Sequence, residues 1–374
     1  MFLNNFLKKI LFIITALETG GAERILVSLL ENLDRNQFQP KLIILGEVGP
    51  LVERLDCEWE QINFKKISVF RGFIKLTMSI LSFRPHLIQG WMYHGSLFAI
   101  ISKFLWPFSQ CYLGIRNQKV DEGTLSVKTQ KILDLLKKLQ KISDLTIYPS
   151  EESKKTHELE GFEESKAKII ENGCNIEIYK PVTEGEKLQL REKWVISSET
   201  RVLAYVSRFH PHKDPETFFK AISILVKTYP DLKVVCAGQG FVPANHELTK
   251  ILRNLTIEKN VLLMGVVKNI HEVYQFSDGL VLSSIGEAFP NVLIEAMSCG
   301  LKCVSTDVGN VKQLLAPFGG VVETRNPEIL AQAIKSNLLE DSHVKVDMKR
   351  SEWIKNNYSI SNMVSSFEKE WSKA

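Results

Sequence analysis

No stretch of this sequence stays apolar for the roughly 18 residues that a membrane-spanning helix needs. Lys8 and Lys9 before the apolar run 10–17 resemble the start of a signal peptide, but residues 18–21 (Glu-Thr-Gly-Gly) follow without a convincing cleavage site. We interpret the run as a buried first strand that enters a glycine-rich turn. The sequence therefore predicts a cytoplasmic protein.

Metal-binding and redox motifs are also missing. The six cysteines form no C-x-x-C pair, and Cys299 and Cys303 have no neighbouring Cys or His in the sequence to complete a zinc site. We expect reduced, mostly buried thiols and neither a metal nor another cofactor. The net charge of +4 is modest and by itself gives no indication of a nucleic-acid partner.

The 374 residues are too many for one ordinary core, which predicts two domains. The first half opens as strand (10–16), glycine turn (18–21), helix (22–33) and strand (41–45), a βαβ unit. The turn lacks the dinucleotide fingerprint G-x-G-x-x-G. Gly20 and Gly21 still allow a ligand to approach a helix N-terminus, although a plain tight turn would have the same sequence.

Two further strand ends in the first half carry polar residues. A strand that starts at Pro85 leads into a predicted polar and aromatic loop over 89–95, which contains His94. A strand over 111–115 ends at Arg116 and Asn117. Ligands bind beyond the carboxyl ends of strands in open α/β sheets, so these residues are candidates for a site. A structural histidine is the simpler alternative for His94.

Residues 60–150 are strongly basic, with 13 Lys and Arg against 5 Asp and Glu. Within 60–110 the cations alternate with many Phe, Ile, Leu and Met residues. This combination suits peripheral contact with an anionic membrane, on the inner face of the cytoplasmic membrane. A basic, solvated face over an ordinary core would give a similar pattern.

The second half begins after a break around 179–186, which contains Pro181 and Gly185. A strand over 202–206 is followed by a loop in which Arg208 and Lys213 lie five residues apart. Arginine offers a fork and lysine a point charge to phosphate oxygens, so the pair suits the diphosphate of a nucleotide. A surface charge pair is the alternative.

The most informative stretch is 281–305, which reads as strand, loop, helix and strand. Glu287 lies in the loop, and Glu295 lies about one turn inside the helix predicted over 291–298. Pro290 suits the first turn of that helix, whose free N–H groups can bind an anion. Two solvated glutamates on a surface loop would fit the spacing equally well.

Together these segments resemble the retaining, nucleotide-sugar-dependent glycosyltransferases of family 4, also called glycosyl transferases group 1. The residues that carry the resemblance are the E-x7-E region 286–297 (GEAFPNVLIEAM), the phosphate loop with Ser207-Arg208 and Lys213-Asp214, the turn Gly238-Gln239-Gly240, and the N-terminal loop 19–23. The resemblance implies an α/β protein of GT-B type, with two facing Rossmann-like domains and a C-terminal helix that crosses back to the first domain. The implied domains are 1–180 for the acceptor, 181–356 for the nucleotide-sugar and 357–374 for the helix.

The resemblance also implies roles for individual residues. The catalytic residues would be Glu287, His94, Arg208 and Lys213. The donor and nucleotide would be bound by Gly20, Gly21, Arg208, Lys213, Gly238, Phe289, Pro290, Asn291, Val292 and Glu295. The acceptor would meet His94, Arg116 and Asn117. Glu295 would accept hydrogen bonds from the ribose, and the two cations would replace a metal at the diphosphate.

The implied function is transfer of a sugar from a UDP- or GDP-sugar to a glycan or lipid-linked acceptor, in cell-surface polysaccharide or lipopolysaccharide biosynthesis. Three alternatives remain on the same residues. They are a nucleotide-sugar 2-epimerase, a phosphorylase, and a non-catalytic protein that binds glycans or membranes.

Overall fold

The structure is a computed structural model and describes residues 7–117, 126–340 and 347–374. The chain divides into two compact units: Met1–Gly173 with Ile360–Ala374, and Cys174–Ser359. We call them the first and second units. The sequence placed the boundary after residue 180, where Pro181 breaks the pattern, and the last helix from residue 357. In the structure the first unit ends at Gly173, and the last helix begins at Ile360.

The first unit contains a seven-stranded sheet in the order β3-β2-β1-β4-β5-β6-β7, and its strand pairs are parallel. The strands are β1 (Lys8–Ile14), β2 (Phe38–Ile44), β3 (Glu58–Gln61), β4 (Leu87–Trp91), β5 (Gln110–Gly114), β6 (Leu145–Tyr148) and β7 (Ala167–Ile169). The helices of this unit are α1 (Gly21–Glu31), α2 (Val69–Phe83), α3 (Met92–Leu105), α4 (Val127–Leu139), α5 (Glu151–Leu159) and α14 (Ile360–Ser372).

Helices cover both faces of this sheet, which is why β1 is apolar along most of its length. Phe12 of β1 lies in one buried cluster with residues of α1 and α14, and Leu11 lies in a second cluster with residues of α2 and α3. Trp371 of α14 is fully buried and contacts Phe12 and Phe38 edge-on, with ring centroids 5.6 and 5.8 Å away. The C-terminal helix is therefore part of the core of the first unit.

The second unit contains a six-stranded sheet in the order β10-β9-β8-β11-β12-β13, and its strand pairs are also parallel. The strands are β8 (Val202–Val206), β9 (Lys233–Ala237), β10 (Val261–Gly265), β11 (Gly279–Leu282), β12 (Lys302–Thr306) and β13 (Val321–Val322). The helices are α6 (Glu184–Lys193), α7 (Pro215–Leu225), α8 (His246–Asn254), α9 (Ile270–Phe276), α10 (Asn291–Ser298), α11 (Val311–Leu315), α12 (Pro327–Ile334) and α13 (Met348–Asn357).

Both sheets reverse their strand order at one point, between β1 and β4 in the first unit and between β8 and β11 in the second. Loops leave the two strands at such a point in opposite directions, which opens a crevice at the carboxyl edge of the sheet. The residues that follow β1, β4, β8 and β11 are those that the sequence singled out around Gly20, His94, Arg208 and Glu287. The topology therefore places the candidate residues of each unit at its crevice.

Three local predictions from the sequence are wrong. The loop predicted over 89–95 is the end of β4 and the first turn of α3, because Met92 adopts φ 64° and turns the strand directly into the helix. Helix α8 was not predicted. The first strand was placed at 10–16 but spans Lys8–Ile14, since the two lysines before the apolar run already pair with β2.

Candidate functional site

The loop after β8 holds Lys213 through its backbone. A short 3-10 turn spans Pro211–Lys213, and Asp214 then adopts φ 45° and caps α7 by accepting from the N–H of Thr217 at 3.2 Å. The carbonyl oxygen of Lys213 accepts from the hydroxyls of Tyr205 (2.7 Å) and Ser283 (2.8 Å). Tyr205 of β8 and Ser283, the residue after β11, therefore fix the position of this lysine.

Gly238 in the turn after β9 lets this turn press against the loop that carries Arg208. Its φ is 135°, and a Cβ there would lie 1.8 Å from the carbonyl oxygen of Ser207. The N–H of Phe209 donates to the carbonyl of Gln239 at 2.8 Å, which ties the two loops together. Only glycine fits at position 238, so its role in this structure is to allow close packing of two backbones.

Lys213 and Glu287 form an ion pair at the crevice between β8 and β11. The same carboxylate oxygen accepts from the hydroxyl of Ser284 at 2.7 Å, and both charged side chains are largely buried (22% and 12% exposed). Gly309, which follows β12, lets its loop approach Glu287, since a Cβ would lie 2.5 Å from the Glu287 carbonyl oxygen. Two residues from separate sequence motifs thus meet in one place.

Arg208 lies exposed in the same loop, and no carboxylate of the described residues forms an ion pair with it. The positive charges of the loop also affect the pKa of a neighbouring histidine. Burial, together with the charges of His212, Arg208 and Lys213, lowers the pKa of His210 from its ordinary value. A loop with this charge distribution can bind a polyanion such as a diphosphate.

Glu295 lies in the second turn of α10 and is held by Tyr274. The Tyr274 hydroxyl, on the short helix α9, donates to the Glu295 carboxylate at 2.7 Å. Burial and the charge of Glu295 raise the pKa of Tyr274 well above its ordinary value, so the phenol stays protonated and donates. Sequence reasoning missed Tyr274, because a tyrosine in a short apolar helix has no motif that distinguishes it from core.

The start of α10 differs from the expectation that Phe289, Asn291 and Val292 offer backbone N–H groups to a sugar. The N–H of Asn291 donates to the carbonyl of Phe289 at 3.0 Å. Phe289 itself is a buried core residue that packs beside Tyr358. Pro290 precedes the helix rather than occupying its first turn. The Asn291 N–H is thus paired within its own turn here, and the donor-binding role of these residues stays a prediction.

The glycine turn of the first unit is occupied. Gly20 precedes α1 with extended backbone angles, and a Cβ there would lie 2.3 Å from the Glu23 carboxylate. A carboxylate at a helix N-terminus is favourable, because it faces the positive end of the helix dipole. The space on the Cβ side of Gly20 is thus filled by a side chain of the same helix.

His94 lies in the first turn of α3, at the carboxyl end of β4. This turn packs tightly on β1, since a Cβ on Gly95 would lie 2.2 Å from the carbonyl oxygen of Ile13. Burial lowers the pKa of His94, so its imidazole is neutral at neutral pH. A neutral imidazole can accept or donate a hydrogen bond at this crevice.

Arg116, predicted as part of a polar pair at a strand end, is buried. Its guanidinium stacks on the Trp91 ring at 4.4 Å and donates through Nη1 to the side-chain oxygen of Asn172 at 3.0 Å. The backbone of the neighbouring Asn117 accepts from the Ser153 hydroxyl at 3.5 Å. All of these residues belong to the first unit.

Within the described residues, no three His, Cys, Asp or Glu side chains come together as a metal-binding group. The six cysteines are unpaired, and five of them are buried. No helix of the described chain has the length and hydropathy to span a bilayer.

Residues 186–359 match the family described as Glycosyl transferases group 1. The match covers slightly less than half of the chain. The match includes Arg208, Lys213, Glu287, Glu295 and the newly found Tyr274.

Two curated relatives illustrate the similarity. N-acetyl-alpha-D-glucosaminyl L-malate synthase of Bacillus anthracis is 30% identical over 183 residues, which cover 48% of this chain and 47% of the relative. An N-acetylgalactosaminyltransferase of Campylobacter jejuni that acts on a diphospho-undecaprenol-linked sugar is 24% identical over 366 residues, 90% of this chain and 91% of the relative. The chain spans about half the length of most of the curated relatives it matches.

Among solved structures, Anabaena HepE in complex with UDP and glucose has a TM-score of 0.85, with 19% identity over 98% of this chain and all of that one. WaaG, a glycosyltransferase of lipopolysaccharide biosynthesis, has a TM-score of 0.75 at 13% identity, covering 96% of this chain and 98% of that one. The fold of this chain is therefore GT-B. The predicted α/β fold class is confirmed.

Proposed function

We propose that this protein is a retaining glycosyltransferase of family 4 that moves a sugar from a UDP- or GDP-sugar to a glycan or lipid-linked acceptor. The observation that carries the proposal is the meeting of Lys213 and Glu287 at the crevice of the second unit. Arg208 lies in the same loop as Lys213, and Glu295 lies on the helix that follows Glu287. This arrangement combines cations for a diphosphate with carboxylates for sugar hydroxyls.

The comparisons support the chemical classes in this proposal. HepE was crystallised with UDP, with UDP and glucose, and with UDP-glucose. The acceptors named for the relatives, L-malate, D-inositol 3-phosphate and a diphospho-undecaprenol-linked sugar, all carry carboxylate or phosphate groups. We infer an acceptor that carries such an anionic group, and a role in cell-surface polysaccharide or lipopolysaccharide biosynthesis.

In the proposed mechanism, Arg208 and Lys213 stabilise the negative charge that develops on the leaving diphosphate. They take the place of a metal ion, so no cofactor is needed. Glu295, held by Tyr274, accepts hydrogen bonds from the ribose. In the first unit, we assign His94 to the acceptor.

Glu287 positions the sugar rather than attacking it. One of its oxygens already accepts from Ser284 and pairs with Lys213, and both contacts lower the nucleophilicity of a carboxylate. The leaving phosphate would instead take the acceptor proton on the same face of the sugar, which retains the anomeric configuration without a covalent intermediate.

The deciding experiment is a donor screen. Purified protein is incubated with UDP- and GDP-sugars and with extracted lipid-linked glycans, with and without EDTA, and products are identified by mass and anomeric NMR. We expect acceptor-dependent nucleotide release with one donor, unaffected by EDTA, and an α-linked product from an α-linked donor. Epimerised donor would indicate a 2-epimerase, and phosphate-dependent glycan cleavage a phosphorylase. A protein without nucleotide affinity by calorimetry would be a non-catalytic binder.

Tyr274→Phe should weaken donor binding about tenfold while kcat changes little. The variant removes the hydroxyl that orients Glu295. A hydrogen bond to a charged group contributes about 1.5–3 kcal/mol, and a water molecule that takes the place of the hydroxyl would recover part of this energy. The KM and Kd of the donor measure the effect. Tyr229→Phe, which removes a partly buried phenol hydroxyl from the same unit, is the matched control. Equal donor affinities in the two variants would remove Tyr274 from the site.

We further propose that α2 contacts an anionic membrane. Its outward face is apolar, with exposed Phe70 (76%), Met78 (66%) and Ile74 (43%). Arg71 and Lys75 are also exposed, and the helix carries no acidic residue. A helix with an exposed apolar stripe flanked by cations suits the interface of a bilayer that contains anionic lipids.

Arg71→Glu with Lys75→Glu should lower binding to phosphatidylglycerol vesicles by tenfold or more, because each cation near an anionic surface contributes about 1 kcal/mol. Co-sedimentation at low and high salt measures the binding. Lys250→Glu with Arg253→Glu makes the same charge change on the exposed face of α8 in the second unit. Vesicle binding that is equal in the two double variants, or insensitive to salt, would contradict the α2 proposal.

A further inference from the structure

The guanidinium of Arg116 is held in place from one side only. Nη1 donates to the side-chain oxygen of Asn172 at 3.0 Å and, more weakly, to the carbonyl of Ile170 at 3.4 Å. The ring of Trp91 supports its face at 4.4 Å, and that of Phe367 lies 5.4 Å away. These contacts orient the guanidinium rigidly, because a planar group stacked on an indole and bonded at one end has little freedom left.

The opposite edge of the same guanidinium has no partner. Nε and Nη2 are buried, and neither makes a hydrogen bond to any described residue. These two atoms carry the parallel N–H bonds that bind a carboxylate or phosphate in bidentate fashion. The half of the arginine without hydrogen-bond partners among the described residues is thus the half suited to an oxyanion.

Among the residues that the structure describes, no carboxylate compensates the charge of Arg116. No Asp or Glu of the described chain forms an ion pair with it, and its acceptors are an amide and a carbonyl. Burial lowers the pKa of Arg116 to about 9. Burying unpaired N–H donors costs free energy as well, so a purely structural role would be served better by a neutral residue.

Two further donors lie at the same edge of the sheet without partners. The hydroxyl of Thr15 follows β1, and that of Ser96 lies in the first turns of α3. Both oxygens are buried and make no hydrogen bond within the described residues. Arg116 and Thr15 follow the carboxyl ends of β5 and β1, and ligands bind beyond such strand ends in open α/β sheets.

We propose that the Nε–Nη2 edge of Arg116 binds an oxyanion of the acceptor, a phosphate or a carboxylate, in bidentate fashion. This inference rests on the proposed function, because the bound molecule is an acceptor only if the protein transfers a sugar to it. It assigns the anionic group of that substrate to one residue of the first unit. The subsite requires the arginine fork and not only a positive charge. Lysine at position 116 would supply the charge without the second parallel donor.

The test follows the arginine Nε–H signals by NMR in the Arg208→Ala, Lys213→Ala background, which removes the other phosphate-binding cations. Inorganic phosphate and acetate are titrated separately, and the signal that disappears in Arg116→Lys identifies Arg116. We expect a saturable shift of the Arg116 signal and a loss of phosphate affinity of at least tenfold in Arg116→Lys and Arg116→Gln. Arg253→Lys, an exposed arginine of α8, should leave the affinity unchanged.

The two titrations separate the sources of the anion. A shift with phosphate alone assigns a phosphorylated acceptor, and an equal shift with acetate assigns a carboxylate. If neither anion moves the Arg116 signal, or Arg116→Lys binds phosphate as well as arginine does, the inference is overturned. A nucleoside diphosphate that binds Arg116 tenfold more tightly than phosphate would overturn its assignment to the acceptor.

These outcomes are independent of the proposed function. If Arg116 bound phosphate but the protein transferred no sugar, the proposed function would be contradicted and the anion subsite would still stand. Sugar transfer with an Arg116 that is indifferent to anions would contradict only the subsite. Arg116→Lys retains the charge and the stem that stacks on Trp91, so it tests the proposal even if Arg116→Gln does not fold.

Discussion

Lys213→Ala should lower the turnover of sugar transfer by about 10²- to 10³-fold, the usual effect of removing one preorganised donor from a developing negative charge. The variant removes a cation from the leaving diphosphate and also leaves the largely buried Glu287 without its ion pair. Both effects act in the transition state, so kcat at saturating donor should fall more than nucleotide affinity. Single-turnover kinetics and nucleotide calorimetry measure the two quantities separately.

Lys220→Ala is the matched control. Lys220 lies on α7, just beyond the same loop, and forms an exposed ion pair with Glu216 four residues earlier. Loss of this surface pair should change activity little. Lys213→Arg should recover part of the activity, since it keeps a cation for the phosphate. If the Lys213→Ala variant were as active as the Lys220→Ala variant, residues other than Lys213 would have to stabilise the diphosphate.

Trp371→Ala should destabilise the first unit by about 3–5 kcal/mol, the range for truncating a large buried aromatic residue. Trp371 is fully buried on α14 among Phe12, Phe38 and Phe367. Its removal leaves a cavity at the sheet, and the last helix loses the contact that anchors it. The backbone carbonyl of the same residue accepts from Lys8 of β1 at 2.6 Å, so the helix end is also held by the first strand.

Urea unfolding followed by circular dichroism measures this loss, with each transition fitted separately because a chain of two units need not unfold in one step. Trp59→Ala is the control, since Trp59 on β3 is 41% exposed and leaves a smaller cavity. An equal midpoint for Trp371→Ala and Trp59→Ala would mean that α14 contributes little to the first unit.

Local sequence was sufficient for much of the fold. A strand covered on both faces must be apolar throughout, and each such run in 10–14, 202–206 and 279–282 was recognisable for that reason. The strand before Glu287, the loop, and the helix that carries Glu295 were also readable, because the change from an apolar run to loop residues to helical spacing takes place within 25 residues.

Local sequence failed where backbone geometry or distant packing decides. The turn at Met92 needs a positive φ at a residue with a side chain, which no spacing rule indicates. Arg116 was recognisable as a residue at a strand end, but its contacts with the Trp91 ring and Asn172, 25 and 56 positions away in the chain, were not. Glu23 filled the space beside Gly20 because a carboxylate three residues into a helix reaches back to its start.

The strand and helix pattern and the pair Glu287 and Glu295 could be recognised from the sequence, since they depend on residues that are neighbours in the chain. The groups that those carboxylates meet depend on how the elements pack. Lys213 reaches Glu287 because β8 and β11 are adjacent in the sheet, and Tyr274 reaches Glu295 because α9 packs against α10. Such contacts join residues 21 to 74 positions apart, and their geometry comes from the order of strands rather than from any local pattern.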